Sequence, residues 1–242
     1  MERRSAQKLL VTDLDATLIG NEEALARFRA AWPALFAEYY LVYASGRPYS
    51  SIRQVMTEQT LPAPDAIISG VGSEIYDATG RRWPGWTLRH AGWSGELVRR
   101  SLARFTRLRL QDDEAQTPLK VSYRVEDLTS KEEAEIRGAL DTAGLTVTFI
   151  YSHNSYLDIL PPGAGKGLAT RFLAQYWGLA DETVLVFGDS GNDIELLAAG
   201  FHGTIVGNAL PELRAVIGPE VYQSPESYAD GILDGLRFWA RR

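Results

Sequence analysis

Apolar positions in this chain fall in short continuous blocks rather than in strict alternation. Five such blocks, 8–12, 40–44, 66–69, 183–187 and 203–206, each run into a small, polar or glycine-rich turn. A continuously apolar run predicts a strand covered on both faces, as in a parallel sheet. Helical spacing fills intervening stretches at 21–38, 50–60, 166–177 and 193–199. Strand and helix alternating in this way predict an α/β protein with a doubly wound, Rossmann-like core. Between 81 and 161 the pattern changes. A helix near 95–107, a strand-like run at 120–125, a helix over 130–143 and strand-like runs at 146–150 and 156–160 predict a smaller inserted α/β domain. Ser130-Lys131-Glu132-Glu133 has the spacing of a capping box for the second of these helices. The expected division is 1–80 plus 162–242 as the core and 81–161 as the insert, with no internal repeat.

Composition narrows the function by exclusion. The 242 residues are 45% hydrophobic, enough to bury a full core. Lys and Arg number 25 against 31 Asp and Glu, a net charge of −6, which argues against a nucleic-acid partner. The absence of cysteine removes disulfides and thiolate chemistry. The charged start, Met1 to Lys8, leads into an apolar stretch too short for a signal-peptide core. No apolar run nears the ~20 residues of a membrane span. A cytoplasmic protein without a membrane partner is the expectation.

The chemistry is concentrated where the apolar blocks end. Asp13-Leu14-Asp15-Ala16-Thr17 follows Leu9-Leu10-Val11 directly. Two carboxylates at i and i+2 on a strand point to the same side. That costs repulsion and desolvation unless a cation or a proton resolves it. The C-terminal ends of parallel strands are also where open α/β sheets place ligands. A divalent metal is the simplest resolution, with one carboxylate as nucleophile and the other as acid/base. Gly188-Asp189-Ser190-Gly191-Asn192-Asp193 loads acids onto a second strand end. Mg²⁺ takes one or two carboxylates plus further oxygens. Asp13, Asp189 and the backbone carbonyl of Asp15 would supply them, and Asp193 caps the helix that follows.

Two further turns fit an anion. Ser45-Gly46-Arg47 follows a strand and offers a hydroxyl and backbone N–H groups, the makings of a phosphate seat. Gly163-Ala164-Gly165-Lys166-Gly167 is not a P-loop, because Leu160 and Gly167 stand where that pattern needs Gly and Ser or Thr. A lysine at a helix start opposes the helix dipole, which predicts that Lys166 points at an anion. Asp13-Leu14-Asp15 does not open an EF-hand, since Leu18 stands at the loop's glycine position. His90, His153 and His202 lack zinc-ligand spacing and are expected at the surface or in packing. Trp83, Trp86 and Trp93 are expected to pack between domains.

Taken in order, the two-aspartate pentapeptide, Ser45, Lys166 and the 188–193 loop resemble the haloacid dehalogenase superfamily of phosphatases. The long segment between the second and third motifs resembles the α/β cap of the type inserted there (C2B). The runs Leu10 to Thr17, Tyr43 to Tyr49, Gly70 to Tyr76 and Gly188 to Asp193 are similar to sucrose-6-phosphate phosphatases, with mannosylfructose-phosphate phosphatases as a sister group. Lys120 to Tyr123 and Leu157 to Pro161 resemble cap segments of that group. The resemblance implies Asp13 as nucleophile and Asp15 as acid/base. It implies Mg²⁺ at Asp13, Asp15, Asp189 and Asp193, with Asp15 contributing its carbonyl and Asp193 orienting Lys166 or a metal-bound water. Ser45, Gly46, Arg47, Lys166 and Asn192 would hold the phosphate, and Glu74, Lys120 and Asp158 the sugar. A phosphorylated disaccharide is the implied ligand, a sucrose-phosphate synthase-type glycosyltransferase the implied partner, and a monomer the implied state. A phosphosugar mutase and a non-catalytic sugar-phosphate binding module are the rival readings.

Overall fold

The structure is a computed structural model that describes residues 6–90, 92–216 and 218–242. Met1 to Ser5, part of the charged start, lie outside the described residues. In chain order the elements begin with β1 (Lys8–Thr12), α1 (Glu22–Leu35), β2 (Tyr39–Ala44), α2 (Tyr49–Glu58), β3 (Ala66–Ser69), β4 (Glu74–Asp77) and α3 (Pro84–Leu88). They continue with α4 (Gly95–Leu102), β5 (Arg109–Leu110), β6 (Val121–Arg124), α5 (Ser130–Thr142), β7 (Thr148–Ser152) and β8 (Tyr156–Leu160). The last are α6 (Lys166–Trp177), β9 (Val184–Gly188), α7 (Ile194–Leu197), β10 (His202–Ile205), α8 (Pro211–Arg214), β11 (Val221–Gln223) and α9 (Ala229–Trp239).

Seven strands form one sheet in the order β11-β10-β9-β1-β2-β3-β4, parallel except for β4. The chain winds outward from β1 through β2 and β3, then returns to β9 on the other side of β1. The strand order therefore reverses between β1 and β9, the crevice where open α/β sheets bind ligands. Alternate residues of these central strands feed two cores. Leu9, Val11, Val42 and Val186 face α6, where Ala169 and Leu173 are buried. Leu10, Leu41, Leu185 and Phe187 face the opposite way, against Leu25 and Phe28 of α1 and Ile232 of α9. This two-sided burial is why the strands read as unbroken apolar runs.

Several boundaries differ from the sequence expectation. Helix α1 stops at Leu35 rather than 38, because the Glu38 carbonyl already accepts from the Gln7 and Lys8 amides at the start of β1. The helix expected at 95–107 ends at Leu102, and the one at 193–199 is a tight turn over Gly191–Asp193 followed by the short α7. Strands β4, β5 and β11 and helices α3, α8 and α9 were not anticipated. The capping box sits one residue earlier than Ser130–Glu133. Thr129 is the N-cap, its hydroxyl accepting from the Glu132 amide at 3.2 Å while Glu132 accepts from the Thr129 amide at 3.0 Å. Both registers have the right spacing, but Glu132 also takes a hydrogen bond from Arg107, which favours the earlier one.

The inserted segment builds a four-stranded antiparallel sheet, β5-β6-β8-β7. One face, with Val121, Tyr123, Leu157 and Ile159, packs on Val98 and Leu102 of α4 and Ile136 and Leu140 of α5. Strand alternation gives the other face to Ser122, Arg124, Tyr156 and Asp158. Trp83 and Trp86 pack into the core of the larger sheet, near Phe172, while Trp93 packs with the smaller one.

Trp86 also fixes a loop that matters to the site. Its Nε1 donates to the Gly72 carbonyl at 3.0 Å. Gly72 has φ +93, and a Cβ there would lie 2.1 Å from the Gly165 carbonyl carbon and 2.6 Å from the Lys166 amide. The loop after β3 and the start of α6 thus touch backbone to backbone. Gly72→Ala is expected to lower the unfolding free energy by about 2–3 kcal/mol, through overpacking and positive φ together. A fall in the urea midpoint of the variant measures it.

Candidate active site

The site lies at the crevice between β1 and β9. Asp13 follows β1 and stays in register, its amide donating to the Phe187 carbonyl at 3.1 Å. The chain then turns tightly, with the Leu14 carbonyl accepting from the amides of Thr17, Leu18 and Ile19. Ala16 takes a left-handed conformation (φ 57), and its carbonyl accepts from Asn208 Nδ2 at 2.7 Å. Asp189 follows β9, one strand over, and Thr17 Oγ1 donates to its Oδ1 at 3.0 Å. Asp193 folds back under the same loop. Its Oδ2 accepts from the Asp189 and Ser190 amides, and Gly188 must be glycine because a Cβ would lie 2.5 Å from the Asp193 side chain.

Lys166 ties these acids together. Its side chain is fully buried. Nζ donates to Asp13 Oδ1 at 2.9 Å, to Asp193 Oδ1 at 2.7 Å and to Asn192 Oδ1. The anion that Lys166 was predicted to face is therefore Asp13 itself, with Asp193. Its place at the start of α6 opposes the helix dipole, and Glu195 offsets this by accepting from the Gly167 amide at 2.6 Å and the Leu168 amide at 3.0 Å. Nothing in the sequence spacing marked Glu195 for this role.

The electrostatics are unbalanced. Candidate ligand atoms of Asp13, Asp189 and Asp193 lie within 4.8 Å of one another, with one ammonium group among them. Burial pushes the Asp13 carboxyl well above its ordinary value; Lys166 opposes this, while Asp193 and Asp189 add to it. Burial, and then the Asp193 charge, push Asp189 up to about 7. Burial alone would lower Lys166, but Asp13 and Asp193 hold it above its ordinary value, so it stays charged. A divalent cation fits this excess of hard oxygen donors. Asp13 and Asp189 are the carboxylates suited to hold it, since each spends one oxygen on the hydrogen bonds above. Asp193, expected among the metal ligands, lies in the same cluster, with its oxygens accepting from Lys166 and the loop amides.

The remaining predicted residues divide. Ser45 is buried, and its Oγ accepts from the Arg47 amide at 3.2 Å. Arg47, expected to hold phosphate, lines the cleft and grips Asp15. Its Nε and Nη2 donate to the two carboxylate oxygens at 2.6 and 2.7 Å, the bidentate fit of a guanidinium to a carboxylate. Lys120 and Asp158 form a buried pair at 3.4 Å on the polar face of the smaller sheet, where Ser122 donates to Asp158. Glu74, expected to contact sugar, does not line the cleft. Arg82 at 2.6 Å and the Tyr76 hydroxyl at 3.0 Å hold it, because β4 returns antiparallel and brings those partners to it.

A cleft of about 450 Å³ runs between the two sheets. The larger sheet contributes Asp13, Asp15, Ser45, Gly46, Arg47 and Asn192; the smaller contributes Lys120 and Asp158. Gln111, Ser152, His153 and Tyr156 also line it and were not anticipated as site residues. His153 was expected only at the surface or in packing. An isolated polar residue in a short turn carries no periodic signal that would mark it.

Comparisons with known proteins identify the family. The family model described as sucrose-6F-phosphate phosphohydrolase matches residues 6–240. The mannosylfructose-phosphate phosphatase of Agrobacterium fabrum is 33% identical over 239 residues, covering 96% of each chain. Sucrose-phosphatase 1 of Nicotiana tabacum is 33% identical over 250 residues, 96% of this chain but 59% of the tobacco protein. The sucrose-phosphatase of Synechocystis sp. PCC6803, solved with sucrose and phosphate, superposes with a TM-score of 0.92 at 32% identity, over 97% of this chain and 98% of that one. The chain therefore belongs to the sucrose-6F-phosphate phosphohydrolase family, within the haloacid dehalogenase superfamily.

Proposed function

We propose that this protein is a Mg²⁺-dependent phosphatase that converts a phosphorylated disaccharide, sucrose 6-phosphate first, to the free sugar and phosphate. The observation that carries the reading is the buried contact of Lys166 with Asp13 on the floor of a cleft whose other wall is polar. Family membership makes the chain a phosphoric monoester hydrolase. The Agrobacterium relative, matched over nearly its whole length, gives mannosylfructose phosphate as the second substrate reading.

In this reading Asp13 attacks the phosphorus in line. An Asp13–phosphorus bond forms as the bond to the sugar oxygen breaks, and Asp15 gives that oxygen its proton. Asp15 then takes a proton from the water that hydrolyses the aspartyl-phosphate. The Arg47 fork holds the Asp15 carboxyl beside the cleft for both transfers. Lys166, Asn192, Ser45 and Gly46 hold the phosphoryl oxygens, and Lys120 and Asp158 face the sugar. Asp13, Asp189 and the Asp15 carbonyl would hold Mg²⁺, which would supply Lewis-acid stabilisation of the charge on the phosphoryl group. The smaller sheet acts as a cap that shuts water out during the first step. A synthase-type glycosyltransferase as docking partner, a monomeric state and a cytoplasmic location belong to the same proposal. Among the described residues no helix is long and apolar enough to cross a membrane.

Phosphate release from sucrose 6-phosphate, mannosylfructose 6-phosphate, trehalose 6-phosphate, glucose 6-phosphate and fructose 6-phosphate, with Mg²⁺ and with EDTA, tests the function. A preference of about tenfold or more for sucrose 6-phosphate, lost in EDTA, is expected. Preference for mannosylfructose 6-phosphate selects the second substrate, and release from none of them overturns the proposal. Asp13→Asn keeps the shape of the side chain but removes the nucleophile. Its turnover is expected to fall by roughly 10³-fold or more with the fold intact by circular dichroism. Near-normal turnover would exclude the covalent route.

A further inference from the structure

The hairpin that joins β7 to β8 turns on His153 and Asn154, with φ 52 and 50. Two successive left-handed residues suit the right-handed twist of a hairpin and favour Asn-Gly or Asp-Gly. Asn154 has local work there. Its Nδ2 donates to Asp127, and its Oδ1 accepts from the Tyr151 hydroxyl at 3.2 Å. His153 has none. Among the described residues its side chain makes no hydrogen bond or ion pair, only an edge contact with Tyr156 at 6.1 Å between ring centroids. A bulky side chain thus occupies a conformation that glycine adopts at less cost, with no structural bond to show for it.

The placement of that side chain supplies the reason. His153 and Tyr156 line the same cleft as Asp13 and Asp15. The hairpin is also seated on the 188–193 loop. A Cβ on Gly191 would lie 2.9 Å from the Tyr151 carbonyl and 3.3 Å from Ser152 Cα, so the end of β7 rests against the turn that carries Asn192. His153 is the next residue along the chain. Its position is therefore tied to the group that holds Lys166, rather than left to a free loop tip.

We propose that His153, backed by the Tyr156 ring, is a specificity residue that binds the second, non-phosphorylated sugar ring of the substrate. The proposal rests on the phosphatase reading above and deepens it. A neutral imidazole presents one donor and one acceptor, which suits paired sugar hydroxyls. The partly exposed Tyr156 ring offers an apolar face to the C–H side of a sugar. Lys120 and Asp158, buried in the same sheet, contribute the charged part of the cleft wall.

The test is steady-state kinetics of His153→Gly and His153→Asn on sucrose 6-phosphate and on fructose 6-phosphate, which lacks the second ring. Thermal unfolding is measured in parallel. His153→Gly is expected to raise KM for sucrose 6-phosphate about tenfold, as for one or two lost hydrogen bonds, with kcat within about twofold. KM for fructose 6-phosphate should move far less, and the unfolding midpoint should hold or rise because the turn is relieved. His153→Asn tolerates the left-handed turn and keeps a donor and an acceptor, so it should recover part of the loss. Unchanged KM for sucrose 6-phosphate, or an equal rise for both substrates, would overturn the role of His153. Absence of wild-type turnover on both sugar phosphates and on p-nitrophenyl phosphate would instead reject the phosphatase reading.

Discussion

Burying three carboxylates around one ammonium group is the constraint that the rest of this structure answers to. Asp13, Asp189 and Asp193 are each at most 3% exposed, and Lys166 is fully buried among them. An unpaired buried charge costs several kcal/mol, so such a cluster persists only where geometry and a further cation or proton balance it. The sheet topology brings it about. Reversal of strand order between β1 and β9 sets two strand ends side by side, and each delivers an acid to the same crevice.

Much of the surrounding backbone is shaped to allow that packing. Gly188 leaves room for the Asp193 side chain beneath the loop. Gly165 and Gly167 let Glu195 close on the first turn of α6, and Gly72 lets the loop after β3 press against Lys166. Arg47 holds Asp15 from the neighbouring turn, so the second carboxylate is placed by a different element from the first. The chemistry proposed for Asp13 depends on these contacts as much as on the acids. The nucleophile's charge, its orientation and the charge of Lys166 are set together.

What the sequence revealed follows from how local each signal is. The strands buried on both faces were legible because a short, continuous apolar run bounded by turns is the direct mark of a strand covered on both sides. Asp13, Asp189, Ser45 and Lys166 were legible because each stands where an apolar run or a turn ends, and the larger sheet gathers those ends. The grip of Arg47 on Asp15 was not, since it joins two turns 32 residues apart. Glu74 was misplaced because β4, only four residues long, was not recognised, and its antiparallel return brings Tyr76 and Arg82 to the carboxylate. Gln111, His153 and Tyr156 enter the cleft through cross-strand pairing and a hairpin turn, which leave no mark in residue spacing.

If the charge imbalance at Asp13 and Asp189 is the feature that calls for a divalent cation, removing one carboxylate should help the protein when no metal is present. The decisive measurement is thermal unfolding of wild type and Asp189→Asn across pH, with EDTA and with Mg²⁺. Asp189 is raised from 3.8 to about 7 in the fold, so the folded wild type binds a proton more readily than the unfolded chain between those values. Metal-free wild type should therefore lose stability as pH rises from about 4 to about 7. In EDTA near pH 8, Asp189→Asn should unfold at least roughly 2–4 °C above wild type, about 1 kcal/mol, with the gap closing toward pH 4. Mg²⁺ should raise the wild-type midpoint and leave the variant nearly unmoved. A variant less stable than wild type in EDTA at pH 8, with the same response to Mg²⁺, would contradict the cluster as a cation site.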